Sequence, residues 1–267
     1  MSDVDSAIIP QLCDVVRHLR RSRSLLFITG AGLSSDSGLP TYRGVGGLYE
    51  NRAGEEGLPI EVLLSGEMMA ADPARCWRHI ARIEAACRGA RFNRGHEVIA
   101  EFERQFDRVW VLTQNIDGFH RQAGSRHVIE IHGDIHRLRC TQCPWTTEVA
   151  DFQDLQIPPH CPECGAVVRP AVVLFGEMLP PECVQLLERE LVEGFDMVFS
   201  VGTSSLFPYI VSPMAAACYG GVPTVEINPA QTPASPFASI RIPARAAAAL
   251  DAIWKLWTNQ PLDAVGE

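Results

Sequence analysis

The sequence predicts an α/β fold built on a doubly wound parallel sheet. Short runs rich in Val, Ile and Leu are bounded by Gly, Asn or Pro, which is the pattern of buried parallel strands. Stretches with helical periodicity fill the gaps between these runs, and strands that alternate with helices favour this fold class. With 267 residues, of which 46% are hydrophobic and 21% charged, the chain is long enough to bury the core of one or two domains.

Five strands and six helices are predicted along the chain. The strands are expected at residues 25–29, 109–113, 128–131, 197–201 and 223–227. The helices are expected at residues 10–21, 73–88, 95–106, 181–193, 208–219 and 245–257. Two stretches have neither period. Residues 41–59 are predicted to form a long loop, and residues 140–164 an insertion held by a metal.

The charge and the apolar runs disfavour several classes of function. The net charge is −9, from 32 acidic and 23 basic residues, which disfavours nonspecific binding to DNA or to an anionic membrane. Lys255 is the only lysine, so a mechanism that needs a catalytic lysine is disfavoured. No apolar run approaches the roughly 20 residues that span a bilayer, and no secretory signal is recognised. We therefore expect a cytoplasmic protein with neither a nucleic-acid nor a membrane partner.

A glycine-rich loop follows the first predicted strand. Gly30, Ala31 and Gly32 open it, and a third glycine, Gly38, comes six residues after Gly32. Because glycine has no Cβ, such a loop lets the backbone approach a phosphate, as in dinucleotide-binding sites. A simple glycine turn with a serine cap is the alternative. A hydride-transferring dehydrogenase is disfavoured, because Glu50, the acid about 20 residues further on, ends no predicted strand.

Two Cys-x-x-Cys pairs predict a metal site. Cys140 and Cys143 form the first pair, and Cys161 and Cys164 form the second after seventeen intervening residues. This spacing is typical of a structural zinc ion bound tetrahedrally by four thiolates. All four ligand positions are filled by protein, so this zinc has no open position for catalysis. The insertion contains acidic residues but no Lys or Arg, which makes it a poor binder of nucleic-acid phosphates.

Polar residues also follow the later predicted strands. They lie at residues 113–117 (TQNID), at His132, at residues 202–205 (GTSS) and at residues 226–228 (EIN). Ligands of open α/β sheets bind at the carboxyl ends of the strands, so these residues are candidates for one site. His132 is placed as a general base, and Gly133 after it would leave room for a substrate. Helix capping, a structural histidine and ordinary strand-to-helix turns are the alternatives.

In this order the motifs resemble those of the sirtuins, the NAD-dependent protein deacylases. The resemblance extends from about Ser24 to Asp251. It is carried by GAGLSSDSGLPTYRG, TQNID, IHG, the two Cys-x-x-Cys pairs, RPAVVLFGE, VGTSS and EIN. Any one of these motifs is only suggestive, whereas the ordered set is highly specific.

The resemblance implies two domains with the active site in the cleft between them. A Rossmann-type, NAD-binding large domain would comprise residues 1–40, 91–134 and 171–267. A small domain would comprise a cofactor-loop and helical module at residues 41–90 and a zinc-ribbon module at residues 135–170.

The resemblance also implies a reaction and the residues that perform it. The acyl-lysine carbonyl oxygen attacks C1′ of the nicotinamide ribose and nicotinamide leaves. A ribose hydroxyl then attacks the resulting imidate, and water completes the release of free lysine and O-acyl-ADP-ribose. His132 would be the general base, Asn115 would position the ribose and a water, and Arg43 would face the reacting ribose. The implied NAD-binding residues are Gly30, Ala31, Gly32, Tyr42, Arg43, Gln114, Asn115, Ile116, Asp117, Gly202, Thr203, Ser204, Asn228 and Ala246.

Departures from the family pattern bear on the acyl group. Thr41 stands where the family loop commonly has Asp, as in the branch that includes desuccinylases. That branch reads the acyl carboxylate with a Tyr-x-x-Arg pair, and Ile80 and Ile83 align with those two positions. Burying a carboxylate against two isoleucines is costly, so we predict a preference for neutral acyl groups, acetyl or longer. The implied substrate-binding residues are Ile80, Ile83, Val173, Phe175, Gly176 and Glu177.

Two alternatives share the same motifs. A protein mono-ADP-ribosyltransferase would use the same NAD site. An NAD-sensing or zinc-ribbon adaptor would keep the binding sites without turnover. Acyl-lysine proteins, NAD and one structural zinc are therefore the expected substrate, cofactor and metal.

Overall fold

The computed structural model describes residues 5–39 and 57–259, and helices separate most consecutive strands of its parallel sheet, as predicted. The strands are β1 (Ser24–Thr29), β2 (Arg108–Thr113), β3 (Val128–Glu130), β4 (Gly133–Cys140), β5 (Thr146–Glu148), β6 (Val168–Val172), β7 (Met197–Val201), β8 (Thr224–Ile227) and β9 (Ile240–Ile242). The α-helices are α1 (Ile9–Leu19), α2 (Ala31–Ser34), α3 (Ile60–Leu63), α4 (Gly66–Ala71), α5 (Pro73–Cys87), α6 (Arg94–Glu103), α7 (Phe119–Gln122), α8 (Pro181–Glu193), α9 (Pro208–Tyr219) and α10 (Ala246–Asn259). Short 3₁₀ turns lie at Ser6–Ile8, Ser35–Ser37 and Ser235–Phe237.

Six of the described strands form one parallel sheet in the order β3-β2-β1-β7-β8-β9. The five predicted strands are all present, and their ends differ from the prediction by at most one residue. The edge strand β9 was not predicted. It has only three residues, and its central residue, Arg241, is charged. The Arg241 guanidinium pairs with the buried carboxylate of Glu226 on β8 at 2.7 Å, which is why a charged residue is tolerated here.

Helices cover both faces of this sheet, as a doubly wound fold requires. Leu25 and Phe27 on β1 face a core shared with α1, α6 and α10. The alternate residues, Leu26 and Ile28, face a second core shared with α8 and α9. Side chains alternate between the faces of a strand, so a run of apolar residues serves both cores. No helix in the two described ranges is long and apolar enough to cross a membrane.

A third core lies outside the parallel sheet. Strands β5, β4 and β6 form an antiparallel sheet in that order, and α4 and α5 pack against it. Trp77 of α5 is fully buried there, contacts the ring of Phe152, and donates a hydrogen bond of 2.8 Å to the carbonyl oxygen of Val168. Two cysteines of the predicted zinc site, Cys140 and Cys161, are buried in the same core, Cys143 packs against it, and Cys164 is exposed. These contacts support the predicted small domain, whose boundaries stay a prediction.

Candidate active site

A cavity of about 820 Å³ lies where the loops that follow β1, β2, β3, β7 and β8 face the small antiparallel sheet and α5. It brings together most of the residues that the sequence singled out. Asp117 does not line this cavity as the described residues form it. Tyr42 and Arg43 lie outside the described part of the chain. The predicted residues that line it are Gly30, Ala31, Gly32, Ile80, Ile83, Gln114, Asn115, Ile116, His132, Val173, Phe175, Gly176, Glu177, Gly202, Thr203, Ser204, Asn228 and Ala246.

The glycine loop touches the loop after β7 through main-chain atoms. The amide of Gly32 donates a hydrogen bond of 2.7 Å to the carbonyl oxygen of Gly202. A Cβ on Gly30 would lie 2.7 Å from Cα of Thr203, and a Cβ on Gly32 would lie 2.6 Å from the same Gly202 oxygen. The glycines are therefore required by the contact between the two loops, a reason that the sequence pattern did not reveal. Contact with a phosphate stays a prediction.

A second link runs across the ends of β2, β7 and β8. The side-chain amide of Gln114 donates to the hydroxyl of Thr203 at 2.7 Å. The side-chain amide of Asn228 donates to the carbonyl oxygen of Thr203 at 2.9 Å. Thr203 is buried, so these bonds fix three of the predicted NAD-binding residues relative to one another.

Asn115 is held by the glycine loop and by α2. Its side-chain amide donates to the carbonyl oxygen of Gly30 at 3.1 Å and to the hydroxyl of Ser34 at 3.0 Å. Ser34 in turn donates to the carboxylate of Asp117 at 2.7 Å. Burial raises the pKa of Asp117, and the amide of Phe119 also donates to its carboxylate. Asp117 thus contacts Ser34 and does not line the cavity as described, and its predicted part in NAD binding stays a prediction.

The imidazole of His132 has a partner on each ring nitrogen. Nδ1 lies 3.0 Å from the carbonyl oxygen of Gln114, and Nε2 lies 2.7 Å from the hydroxyl of Tyr209. A carbonyl oxygen only accepts, so Nδ1 carries the proton. Burial lowers the pKa of His132, which favours the neutral ring with its lone pair on Nε2. Tyr209 was missed by the sequence interpretation, since nothing in its place in a predicted helix indicated this contact.

Gly133 has a different role from the one expected. Its φ is 84°, in the left-handed region, and a Cβ would lie 1.8 Å from the carbonyl oxygen of Ala171. The expectation that Gly133 leaves room for a substrate is therefore wrong. The space is filled by the main chain of β6, which pairs with β4 at this point.

One wall of the cavity is apolar. Ile80 and Ile83 of α5 line it together with Leu64, Ile135 and Leu174. The neighbouring arginines of α5, Arg78 and Arg82, are exposed and are absent from the walls of the cavity as described. The face of α5 that lines the cavity therefore carries Ile80 and Ile83, the two residues that the alignment predicted to face the acyl group.

The segment that contains the implied substrate-binding residues Val173, Phe175, Gly176 and Glu177 is itself held by contacts within the protein. Phe175 forms main-chain hydrogen bonds of 3.0 Å with Leu64 and Gly66. Arg169 pairs with the carboxylate of Glu177 at 2.5 Å, and the amide of Leu174 donates to the same carboxylate at 2.9 Å. Glu177 thus has a structural partner. Substrate binding by Val173, Phe175, Gly176 and Glu177 stays a prediction.

The segment at residues 229–233 was also missed, although it lines the cavity beyond Asn228. Its shape depends on Glu226, whose buried carboxylate accepts hydrogen bonds from Thr232 at 2.5 Å and from Ser235 at 2.6 Å. The sequence signal was an acid inside an apolar strand, since a buried carboxylate needs several partners.

The four predicted metal ligands lie together, outside the cavity. The sulfur atoms of Cys140, Cys143, Cys161 and Cys164 all lie within 4.8 Å of one another. The Cys140–Cys164 and Cys143–Cys161 separations are 3.4 and 3.6 Å. Zn–S bonds of about 2.3 Å in a tetrahedron place the sulfurs about 3.8 Å apart, so the cluster fits one zinc ion. The ion would join the ends of β4 to the loop before β6.

The geometry agrees with relatives of known family. The sequence model of the Sir2 family matches residues 30–207. NAD-dependent protein deacylase 2 of Pseudomonas aeruginosa is 51% identical over 88% of this chain and 93% of its own length. NAD-dependent protein deacylase 1 of Archaeoglobus fulgidus is 36% identical over 89% of this chain and 94% of its own length.

Solved structures of Sir2 homologues are also similar to this chain. A Sir2 homologue in complex with NAD is 33% identical, with a TM-score of 0.82 over 92% of this chain and 93% of that one. A mutant Sir2 homologue in complex with 2′-O-acetyl ADP ribose is also 33% identical, with a TM-score of 0.82 over 94% of this chain and 99% of that one. With the family match over most of the chain, these relatives identify the protein as a member of the Sir2 family.

Proposed function

We propose that this protein is an NAD-dependent protein-lysine deacylase that acts on neutral acyl groups and releases nicotinamide and O-acyl-ADP-ribose. The observation that carries the proposal is one cavity with three walls of different chemistry. The glycine loop and the loops after β7 and β8 form the first wall, His132 the second, and the isoleucines of α5 the third. The names of the relatives and the ligands of the solved homologues support the same activity.

NAD, when bound, supplies a ribose carbon that becomes electrophilic as nicotinamide leaves. The loops around Gly32 and Gly202 offer main-chain groups to the pyrophosphate, and Asn228 and Ala246 lie on the side proposed for adenosine. Asn115 and Ile116 follow Gln114, whose carbonyl oxygen contacts His132, and they line the side proposed for the nicotinamide ribose. The hydrogen bonds that already fix Asn115 and Thr203 mean that this site is largely formed before a ligand binds.

His132 is the group best placed to accept a proton in this cavity. Its Nδ1–H bond to the Gln114 carbonyl oxygen fixes the tautomer and stabilises the imidazolium that forms when Nε2 takes a proton. Because burial lowers the pKa of His132, the ring is unprotonated at neutral pH and available as a base. In the proposed reaction the proton comes from a ribose hydroxyl.

The acyl preference follows from the wall at α5. Ile80 is buried, Ile83 is half-buried, and Leu174 faces the same space. Such a wall favours the methyl or methylene groups of acetyl and longer acyl chains. A succinyl carboxylate placed against it would lose its hydration without gaining a cationic partner.

The proposal is tested with one peptide that carries acetyl-, butyryl-, longer alkanoyl- or succinyl-lysine. The zinc-loaded protein is incubated with each peptide, with and without NAD, and nicotinamide and O-acyl-ADP-ribose are quantified by mass spectrometry. We expect both products from the neutral acyl peptides, formed at least about tenfold faster than from the succinyl peptide. Absence of nicotinamide with every peptide would overturn the activity. Faster turnover of the succinyl peptide would overturn the acyl preference.

The two alternatives are separated in the same assay. With labelled NAD, a label that stays covalently on protein indicates ADP-ribosyl transfer, whereas soluble O-acyl-ADP-ribose indicates deacylation. The variant His132→Ala should remain folded and lose turnover. An adaptor that only binds NAD would keep its function in that variant.

A further inference from the structure

The hydroxyl of Tyr209, in the first turn of α9, contacts the atom on which His132 would accept a proton. We propose that Tyr209 is a positioning residue that occupies the lone pair of His132 Nε2 until a ribose hydroxyl of NAD replaces it. The inference rests on the proposed function of His132 as the base. It adds a residue on which the sequence motifs are silent.

The direction of the hydrogen bond follows from its surroundings. The Gln114 carbonyl oxygen, 3.0 Å from Nδ1, can only accept, so the proton of the neutral ring is on Nδ1. Nε2 then has a lone pair and no hydrogen. Tyr209 must therefore donate its hydroxyl hydrogen to Nε2 across the observed 2.7 Å. The hydrogen bond thus has a defined donor, the Tyr209 hydroxyl, and a defined acceptor, Nε2, and it favours the Nδ1–H tautomer of His132.

The tyrosine ring is held in place by a second aromatic ring. Phe207 and Tyr209 stack with their centroids 5.4 Å apart and their planes inclined by 14°. Both rings stand at 84° to the plane of His132, at 6.0 and 6.1 Å from its centroid. All three residues line the cavity. The hydroxyl is thus directed at Nε2 by packing on the cavity side of the histidine.

The Tyr209 hydroxyl and a ribose hydroxyl of NAD would compete for the single lone pair on Nε2. A ribose hydroxyl can donate to Nε2 only after the tyrosine hydroxyl has turned away, because the neutral ring has one acceptor there. Burial raises the pKa of Tyr209 to about 12, so the phenol stays protonated and remains a donor over the working pH range. A donor to Nε2 also stabilises the unprotonated ring, and in the ligand-free protein it opposes protonation of the base.

Other charged groups near His132 have partners of their own in the described part of the chain. Asp134 on β4 accepts from the amide of His136, and Glu130 on β3 pairs with Arg121. Of the groups on the β2 loop and after β6, Asp117 accepts from Ser34 and Glu177 pairs with Arg169. Among the described residues, Tyr209 is thus the titratable side chain that touches the imidazole.

The test is the variant Tyr209→Phe, which keeps the stacked ring and removes the hydroxyl. The matched control is Tyr219→Phe, because Tyr219 ends the same helix and is 83% exposed. For each protein, kcat and KM for NAD are measured with an acetyl-lysine peptide from pH 5 to 9, and thermal unfolding verifies the fold. Wild-type turnover and its loss in His132→Ala test the proposed function separately.

We expect Tyr209→Phe to move the acid limb of kcat/KM to higher pH by about half to one unit, the effect of one neutral hydrogen bond. KM for NAD should fall by about two- to fivefold as the competitor is removed, and kcat at the plateau should fall by no more than that factor. Tyr219→Phe should leave the limb where it is. An unchanged limb in Tyr209→Phe would reduce Tyr209 to a packing residue and overturn the proposal. So would a loss in plateau kcat of about 100-fold at constant KM, which would make the phenol part of the proton path.

A measurement on the wild-type protein keeps the proposal falsifiable if Tyr209→Phe fails to fold. Nitrogen-15 NMR of the ligand-free protein should show His132 as the neutral Nδ1–H tautomer, with its Nε2 signal shifted by a hydrogen bond. Adding ADP-ribose should change that signal if the ribose replaces the phenol. An Nε2–H tautomer, or a signal that ADP-ribose leaves unmoved, would contradict the proposal whether or not the enzyme deacylates peptides.

Discussion

Gly202 approaches the amide of Leu33 so closely that a Cβ on Gly202 would lie 2.4 Å from that nitrogen. Its φ of 59° is also in the left-handed region, which glycine adopts without strain. Two independent constraints thus fall on one residue between the glycine loop and the loop after β7. The contact joins motifs that are about 170 residues apart in the sequence.

The first prediction concerns this contact. Gly202→Ala should lower the free energy of unfolding by about 1 kcal/mol for the positive φ and by about 1–3 kcal/mol more for the clash with the Leu33 amide. It should also weaken NAD binding, because Gly32 and Thr203 would be displaced. Urea unfolding and calorimetric titration with NAD measure the two effects. Gly221→Ala is the control, since Gly221 has a φ of 72° and no neighbour within 4 Å of an added Cβ. Equal destabilisation by both substitutions would show that the contact between the loops is unimportant.

The second prediction concerns the zinc cluster. Cys161 and Cys140 are buried in the core that contains Trp77 and Phe152. Cys161→Ser should abolish stoichiometric zinc and unfold the antiparallel sheet, because zinc binding of about 10 kcal/mol or more holds such modules together. Zinc content by mass spectrometry and the near-ultraviolet circular dichroism of tryptophan report the change. Nicotinamide release should be lost with the zinc, since α5 packs on this core.

The control for the zinc prediction is Cys218→Ser, on α9 and away from the cluster. It should keep one zinc per chain. If Cys161→Ser retained the ion and the native spectrum, the four-thiolate assignment would be wrong.

The elements predicted most accurately are those whose sequence signal lies within the element itself. Strand β7 and helix α8 begin and end at the predicted residues, since a five-residue apolar run and a proline start are self-contained signals. The antiparallel sheet was not predicted: β4 ends at the first residue of the predicted insertion, β5 lies inside it and β6 follows it. Four of the eight residues of strand β4 are charged or polar, and it pairs with β6 across a stretch of more than 25 residues. Such long-range pairing is invisible to a local period.

The candidate site divides in the same way. Residues at strand ends, such as Gln114 and Asn228, were identified because parallel strands bring their carboxyl ends to one edge. Tyr209 was missed, because its contact with His132 depends on the angle at which α9 leaves the sheet. The purpose of Gly133 was misread for a related reason. Its partner, the carbonyl oxygen of Ala171, lies on another strand.

The third prediction concerns the acyl wall. Ile83 is half-buried, so an arginine there can keep part of its hydration while reaching into the cavity. Ile83→Arg should raise the ratio of succinyl- to acetyl-lysine turnover by about five- to tenfold, the effect of one half-buried charge pair. Competition between the two peptides in one reaction, followed by mass spectrometry, gives the ratio directly. Ile83→Gln is the control, because it adds polarity and length without charge. If Ile83→Arg and Ile83→Gln changed the ratio equally, Ile83 would not be part of the wall that contacts the acyl group.

The fourth prediction concerns acid stability and begins with His96 in the core. Burial lowers the pKa of His96 to about 4, and burial also lowers the pKa of the neighbouring His120, whose ring centroid lies 5.0 Å away. His96 Nδ1 accepts the amide of Asn93 in the capping box of α6, while Nε2 is buried with no hydrogen-bond partner in the described part of the chain. Because Nδ1 accepts, the neutral ring carries its hydrogen on Nε2, so a second proton would have to bind Nδ1, where it would remove the acceptor of the capping box and charge a buried ring.

The sign of the pH effect follows from linkage. The folded state binds fewer protons at His96 than the unfolded state does, so this stability is complete above pH 6.5 and is lost as the pH falls from 6.5 towards 4. At pH 5 the loss from His96 is about 2 kcal/mol relative to neutral pH. His96→Gln keeps an acceptor for the capping box and cannot titrate, so it should retain about that much more stability at pH 5. Urea unfolding at pH 7 and pH 5 measures the difference, with His18→Gln on α1 as the control. Parallel losses in wild type and His96→Gln would show that His96 is not the acid-sensitive group.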